Sequence, residues 1–211
     1  MINMKRFWQD VQYDLLVPPF NEDVTTMTGK QAKEYYDWFL QHIPERVDYF
    51  TKRCEDDLDL PAHSINYDPE SLVPIWKWFL STARLEKMPE EELIKMREGA
   101  KIFGDSYITK KRLTVATHFI IRDIGIFLGE MWIHNYPQLY WTYSTQTKDS
   151  ICANKPIIAG FQMTIGSVIG DMFFEPIHMV YIQAARLITN TANEFDLFNL
   201  YQKWISNIPD L

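Results

Sequence analysis

The stretch that most constrains the fold runs from Lys111 to His134 and reads KRLTVATHFIIRDIGIFLGEMWIH. A helix built from it is apolar on nearly every side, and such a helix belongs in a protein core or in a membrane. Arg122 and Asp123 stand in its middle, where a lipid-facing span rarely tolerates charge. The sequence therefore predicts that this segment is the central, buried helix of a water-soluble domain.

Around this helix the pattern predicts an α+β fold that is mainly helical. On its N-terminal side, capping signals at Thr28, Asp68 and Pro89 precede apolar residues at helical spacing, which predicts several amphipathic helices. On its C-terminal side, residues 139–162 are rich in aromatic and β-favouring side chains, which predicts a small β-sheet or hairpin. The expected result is a helical bundle-like domain around residues 111–134, without βαβ alternation or an internal repeat.

The positions of proline and of charged residues predict where several helices and strands begin or end. Apolar spacing predicts a short amphipathic helix over 4–16, and Pro44 is predicted to interrupt one helix and to begin another that runs to about Arg53. The uncharged stretch that ends before Asp171 is predicted to hold a strand followed by a buried or interfacial loop. Phe173 is then expected to open a helix that reaches about residue 189.

Charge is distributed unevenly along the chain, whose net charge is −7. Residues 1–110 hold 14 basic and 20 acidic side chains, whereas residues 111–211 hold 7 and 8. We interpret residues 1–211 as a single domain with an acidic helical N-terminal layer, about 1–110, on a charge-poor core region, about 111–211. Because the pattern contains no basic face, we predict no nucleic-acid partner, and an acidic surface instead favours a basic protein.

Cysteine use and hydropathy indicate the compartment. Cys54 and Cys152 belong to no CxxC pair, and two cysteines in a chain of this length do not make a disulfide scaffold. The sequence opens without a signal-peptide pattern, and none of its uncharged runs reaches the length of a membrane span. These features predict a cytoplasmic protein that does not enter a membrane.

Two Glu/His pairs are the strongest candidates for metal chemistry. Glu130 and His134 lie at i, i+4, and Glu175 and His178 lie at the i, i+3 spacing of carboxylate-bridged di-iron bundles. Such a site needs two Glu-x-x-His pairs and two further glutamates, whereas here the first pair has another spacing and Pro176 interrupts the second. We therefore predict no metal and no other cofactor. A metal-dependent enzyme, or a small-ligand binder, that uses these four residues is the alternative.

Other residues of the central helix favour structural roles. Asp123, with Arg122 beside it, is predicted to be one end of a buried or half-buried ion pair that matters for folding rather than for catalysis. Gly125 and Gly129 are predicted to form a small-residue notch that lets a neighbouring helix or strand approach. The sequence contains no GxSxG nucleophile elbow and no phosphate-binding glycine loop, so we assign no catalytic residue.

Negative evidence on catalysis favours a protein-interaction role. Trp76 and Trp78 are two residues apart, so one of them is predicted to be half exposed, and exposed Trp is enriched at interfaces. We assign partner binding to Trp78 and to two acidic clusters. The acidic residues are Asp56, Asp57, Asp59, Glu90, Glu91 and Glu92. The prediction is a non-enzymatic cytoplasmic interaction protein, for example an immunity-type protein that neutralises a basic partner. A large apolar pocket beside Trp141 would instead favour a small-molecule binder.

Two stretches, TGKQAKEYYDWFLQHIPERVDYF and INYDPESLVPIWKWFL, carry a resemblance. They resemble the N-terminal part of uncharacterised proteins from Gram-positive bacteria, over roughly the second quarter of the chain. The resemblance implies a mainly helical protein. It implies no activity and assigns no functional residue.

Overall fold

The computed structural model describes residues 13–20, 23–99, 109–144 and 152–209. These ranges contain six α-helices and two small antiparallel sheets, which confirms the prediction of a mainly helical α+β fold. The predicted helix over 4–16 lies mostly outside the described residues, and its described part, 13–16, has no regular secondary structure.

The helices and strands follow one another in a simple order. The helices are α1 (Gly29–Asp57), α2 (Leu72–Thr82), α3 (Glu90–Gly99), α4 (Val115–Asn135), α5 (Pro176–Ala185) and α6 (Asp196–Ile205). The strands are β1 (Leu85–Lys87), β2 (Lys111–Leu113), β3 (Tyr140–Tyr143), β4 (Pro156–Ile165) and β5 (Val168–Phe174). β1 pairs with β2, and β3, β4 and β5 form an antiparallel sheet in that order.

Helix α4 is the buried central helix that the sequence predicts. More than half of its residues are buried, and the indole of Trp132 stacks on Tyr201 of α6 with ring centroids 4.0 Å apart. The helix begins later than predicted because residues 111–113 pair with β1 and Thr114 caps the helix, accepting a hydrogen bond from the Thr117 N–H. Among the described helices, none combines the length and the hydropathy that crossing a bilayer requires.

Helix α1 runs unbroken through Pro44, so the predicted break there is wrong. Pro44 removes one backbone hydrogen bond, but it lies on the exposed face, where water can bind the carbonyl that lacks an N–H donor. On the opposite face the buried side chains Phe39, Ile43 and Phe50 pack against the rest of the core. Tertiary packing therefore outweighs the local preference of proline.

The small sheet predicted near residues 139–162 is present, and β5 extends it by one strand. The prediction of a loop that ends before Asp171 and of a helix that starts at Phe173 is wrong. Gly166, at φ +62°, turns the chain between β4 and β5, and helix α5 begins only after the second strand has ended. The exposed apolar side chains of this hairpin, such as Val168 and Ile169, hide the alternation by which a half-buried strand is recognised.

Gly125 and Gly129 form the predicted notch on α4. A Cβ atom built on Gly125 would lie 2.8 Å from the Cα atom of Ile177, and one built on Gly129 would lie 2.5 Å from Cη2 of Trp141. Real Cβ atoms do not approach other heavy atoms this closely. The prediction is confirmed, since the absence of side chains lets α5 and β3 pack directly on the backbone of α4.

Asp123 is one end of a buried ion pair, as predicted, and its principal partner is Arg46 of α1. The Arg46 guanidinium donates to Asp123 Oδ2 at 2.5 Å, and the Tyr13 hydroxyl donates to the same oxygen at 2.6 Å. Arg122 lies farther away, with Nε 3.9 Å from Asp123 Oδ1, and it donates instead to the carbonyl of Leu16. These contacts hold the N-terminal segment 13–20 against α4.

Candidate functional site

A cavity of about 440 Å³ lies between the N-terminal part of α4, the beginning of α5 and the residues that lead into β4. Its volume falls within the range of small-molecule sites, roughly 300–1,000 Å³. Apolar side chains form much of the wall, among them Phe119, Ile121, Pro156 and Ile177. Polar side chains also reach the cavity from each of the three elements.

Helix α4 contributes His118 and Arg122, which share a face because they are four residues apart. The Arg122 side chain is only 11% exposed, and its guanidinium lies 4.8 Å from the ring of Phe119. Its Nε is buried and finds no hydrogen-bond acceptor among the described residues. Burial lowers the pKa of the Arg122 guanidinium, and the neighbouring carboxylate of Asp123 offsets part of that effect.

Glu175 and His178 come from the beginning of α5. Glu175 is the N-cap of the helix, and its Oε1 accepts a hydrogen bond of 3.0 Å from the His178 N–H. Its other oxygen, Oε2, receives no hydrogen bond from the described residues and lies 3.8 Å from the Nζ of Lys155. The residue is 6% exposed, and burial raises the pKa of the Glu175 carboxyl, whereas Lys155 acts in the opposite direction.

Two imidazoles flank the ring of Tyr181 at the cavity. The His118 ring centroid lies 5.6 Å from that of Tyr181, and the His178 centroid lies 6.3 Å from it, both nearly parallel to the phenol. Burial lowers the pKa of both imidazoles, assisted by Arg112 at His118 and by Lys155 at His178. Both rings are therefore mainly neutral at pH 7.

Basic side chains outnumber acidic ones in the described part of the cavity wall. The charged side chains that line it there are Arg122, Lys155 and Glu175, two cations for one carboxylate, and burial favours the neutral form of that carboxylate. The chain as a whole carries a net charge of −7. The described lining of the cavity is thus more basic in composition than the chain as a whole.

No protein-family model, curated protein or solved structure was found to match the chain. The resemblance to proteins of Gram-positive bacteria stays a prediction. Evidence on the chemistry of the cavity therefore comes from its own side chains.

The two Glu/His pairs of the alternative metal site do not meet. Glu130 Oε1 accepts a hydrogen bond of 2.6 Å from the indole N–H of Trp141, and His134 lies at a separate, more open hollow of about 560 Å³. Glu175 and His178 line the cavity instead. Within the described ranges, no three His, Cys, Asp or Glu side chains are grouped so that they could hold a metal ion.

Trp78, the aromatic residue assigned to partner binding, is 2% exposed, so the prediction of a half-exposed Trp is wrong. Helix α2 packs against both α1 and α6, so more than one face of it is covered. Trp76 stacks on Phe79 with centroids 4.6 Å apart, while the indole N–H of Trp78 donates to Asp57 at 2.8 Å. A helix between two others buries residues that are two positions apart.

The acidic clusters assigned to partner binding lie on the surface. Three of their members already pair with basic side chains of the same chain. These pairs are Asp57 with Arg53 at 2.8 Å, Glu90 with Arg97 at 3.2 Å and Glu92 with Arg112 at 2.7 Å. Asp56, Asp59 and Glu91 are exposed. The clusters are acidic, but part of their charge is neutralised within the molecule.

Sequence reasoning found Glu175 and His178 but missed the other polar residues of the cavity. The i, i+4 spacing of His118 and Arg122 was a visible signal, although it does not reveal what faces that side of α4. No sequence signal pointed to Lys155, which reaches the cavity only because β4 starts beside α5.

Proposed function

We propose that this protein binds a small, partly apolar organic molecule in the cavity between α4, α5 and the start of β4. The observation that carries the proposal is the convergence of Arg122, Lys155 and Glu175, from separate elements, on an apolar-walled cavity of about 440 Å³. A concave apolar site with a few convergent polar groups is the usual form of a ligand pocket.

Two buried polar atoms give further support. Arg122 Nε and Glu175 Oε2 have no hydrogen-bond partner among the described residues. A buried polar atom left without a partner costs roughly 1–3 kcal/mol. Both atoms are inaccessible in this conformation, so a ligand would bond to either of them only after a small movement of the side chain, and would then recover part of that free energy.

The test uses a variant that fills the cavity. Nuclear magnetic resonance spectra of the amide groups would be recorded while mixtures of small acids, alcohols and amines with aromatic or aliphatic bodies are added. We expect saturable shifts at residues that line the cavity, such as His178 and Tyr181. Val24→Trp, placed at the wall, should abolish them, and Pro18→Trp serves as a second filling variant.

The matched control is Val168→Trp, at a 67% exposed position of β5 that is not among the residues lining the cavity. This variant should bind as the original chain does. If no mixture gives saturable shifts, or if both filling variants retain them, the cavity is not a binding site.

A second candidate is a basic protein partner, such as a toxin held by its immunity protein. Its support is the exposure of Asp56, Asp59 and Glu91 on a chain of net charge −7. Affinity capture from a native lysate would compare the original chain with a variant that carries lysine at these three positions. Loss of one captured protein in the variant supports this candidate, and identical recovery by both counts against it. A matched control reverses exposed acids outside the clusters, Glu34, Glu45 and Asp48.

A further inference from the structure

We propose that the ligand of the cavity carries a carboxylate group, held between Arg122 and Lys155, with its apolar body against the wall of α4 and α5. This inference rests on the proposed binding function and names the chemical class of the ligand. It is based on two basic side chains of the cavity wall that are only partly paired with carboxylates of the same chain.

Arg122 shares its nearest carboxylate with a second cation, Arg46. Asp123, the nearest carboxylate, accepts hydrogen bonds from Arg46 and from Tyr13, and its Oδ1 is 3.9 Å from Arg122 Nε, beyond hydrogen-bond length. Arg122 donates to one backbone carbonyl, that of Leu16. Its Nε has no acceptor among the described residues but is itself buried, so a ligand in the cavity would bond to another nitrogen of the guanidinium.

Lys155 is the second cation and is able to move. Its side chain is 28% exposed, and the 3.8 Å between its Nζ and Glu175 Oε2 is too long for a direct hydrogen bond. An ammonium group on a flexible stem can turn from this loose pair toward a ligand anion. A carboxylate has two oxygens, so it can accept from a guanidinium and an ammonium at once.

The two imidazoles of the wall supply no negative charge. His118 and His178 are mainly neutral at pH 7, since burial lowers the pKa of both imidazoles. Glu175 is the only carboxylate among the described residues that line the cavity. A ligand carboxylate would therefore offset one of the two lining cations, whereas an amine would add a third cation.

The apolar part of the wall argues against a small inorganic anion. Phe119, Ile121 and Ile177 line the cavity together with the charged groups, so a ligand that fills it also buries apolar surface. Burial of such surface contributes about 25 cal/mol per Å². An aryl or alkyl carboxylate matches both properties of the wall.

The experiment compares three probes with the same body, 4-phenylbutanoate, 4-phenylbutan-1-ol and 4-phenylbutylamine. Dissociation constants would be measured by titration calorimetry at pH 7.5 on the full chain. We expect the carboxylate to bind about 10-fold or more tightly than the alcohol, the difference of roughly one charge-assisted hydrogen bond, and the amine to bind most weakly.

Substitutions of Lys155 and Arg122 test whether these two cations cause the tighter binding of the carboxylate. Lys155→Met and Arg122→Met should each weaken binding of the carboxylate about 10-fold and leave binding of the alcohol nearly unchanged. Lys52→Met, at an exposed position of α1, is the matched control and should behave as the original chain. If Arg122→Met does not fold, Lys155→Met alone decides, because its side chain is partly exposed.

The possible failures are distinguishable. If the alcohol or the amine binds as tightly as the carboxylate, or if Lys155→Met weakens all probes equally, the carboxylate assignment is overturned while the binding function stands. If none of the three probes binds, the result counts against the proposed binding function itself.

Discussion

The indole of Trp141 lies directly on the backbone of Gly129, and a Cβ atom at Gly129 would sit 2.5 Å from Cη2 of the ring. The same indole donates its N–H to Glu130, the next residue of α4, at 2.6 Å. An apolar contact and a hydrogen bond at adjacent positions thus fix β3 on the central helix. The sheet and the helix are therefore coupled through this pair.

Gly129→Ala should destabilise the protein by about 1–3 kcal/mol, because the added methyl group forces the Trp141 ring away from α4. In an open helix the same change would stabilise by roughly 0.5–1 kcal/mol, so the sign of the effect is informative. The free energy of unfolding would be measured by denaturant titration. Gly170→Ala is the control, since nothing lies within 4 Å of a Cβ there. A variant at Gly129 as stable as the original chain would disprove the close contact.

Asp123→Asn should lower the free energy of unfolding by about 3–5 kcal/mol, because it leaves the Arg46 guanidinium buried without its main counter-charge. Asp14→Asn removes the other carboxylate that pairs with Arg46, but Asp14 is 68% exposed, so we expect less than about 1 kcal/mol. Chemical denaturation of both variants gives the comparison. Equal effects of the two substitutions would show that burial of the pair is unimportant.

Glu130→Gln should change how stability depends on pH. Burial raises the pKa of the Glu130 carboxyl above its ordinary 4.5, while the bond from Trp141 lowers it in part. The folded state then holds the proton more tightly than the unfolded state, so this group makes stability fall as pH rises above about 4.5. Glutamine keeps an acceptor for Trp141 without ionising. Between pH 4.5 and 7.5 the free energy of unfolding of the variant, measured by denaturation, should rise relative to that of the original chain. Parallel curves of unfolding free energy against pH for the two proteins would contradict the prediction.

Trp78→Phe should destabilise the protein by roughly 1–3 kcal/mol, because the smaller ring leaves space in the core and the hydrogen bond to Asp57 is lost. Tyr140→Phe, at a 58% exposed position of β3, should stay within about 0.5 kcal/mol. Thermal and chemical denaturation would measure both. If Trp78→Phe left the free energy of unfolding unchanged and instead abolished capture of a protein partner, the result would support the interface role that the sequence predicted for Trp78.

The sequence predicted what depends on local pattern. The all-round apolar character of α4 identified its central position, Thr28 signalled a capping box that the structure contains, and Gly125 with Gly129 signalled close packing. Each of these signals is carried by residues within a few positions of one another, which is the range over which helical periodicity and capping act.

What the sequence could not supply is pairing between distant segments. Pro44 is tolerated because of packing partners far along the chain, and Arg46 meets Asp123 across 77 positions. The cavity is a further example, since nothing in the sequence around Lys155 and Arg122 indicates that the two side chains line the same cavity. Residue type and spacing alone do not encode which faces meet in three dimensions.

The anchoring of segment 13–20 to α4 has a consequence for biosynthesis. Tyr13 is made 110 residues before Asp123, to which its hydroxyl donates, and Arg46 is made 77 residues before the same carboxylate. At a translation rate of about 5–20 residues per second, the growing polypeptide contains Arg46 for roughly 4–15 s before its counter-charge exists. Ribosome-bound fragments that stop short of Asp123 therefore contain the Arg46 guanidinium without this partner.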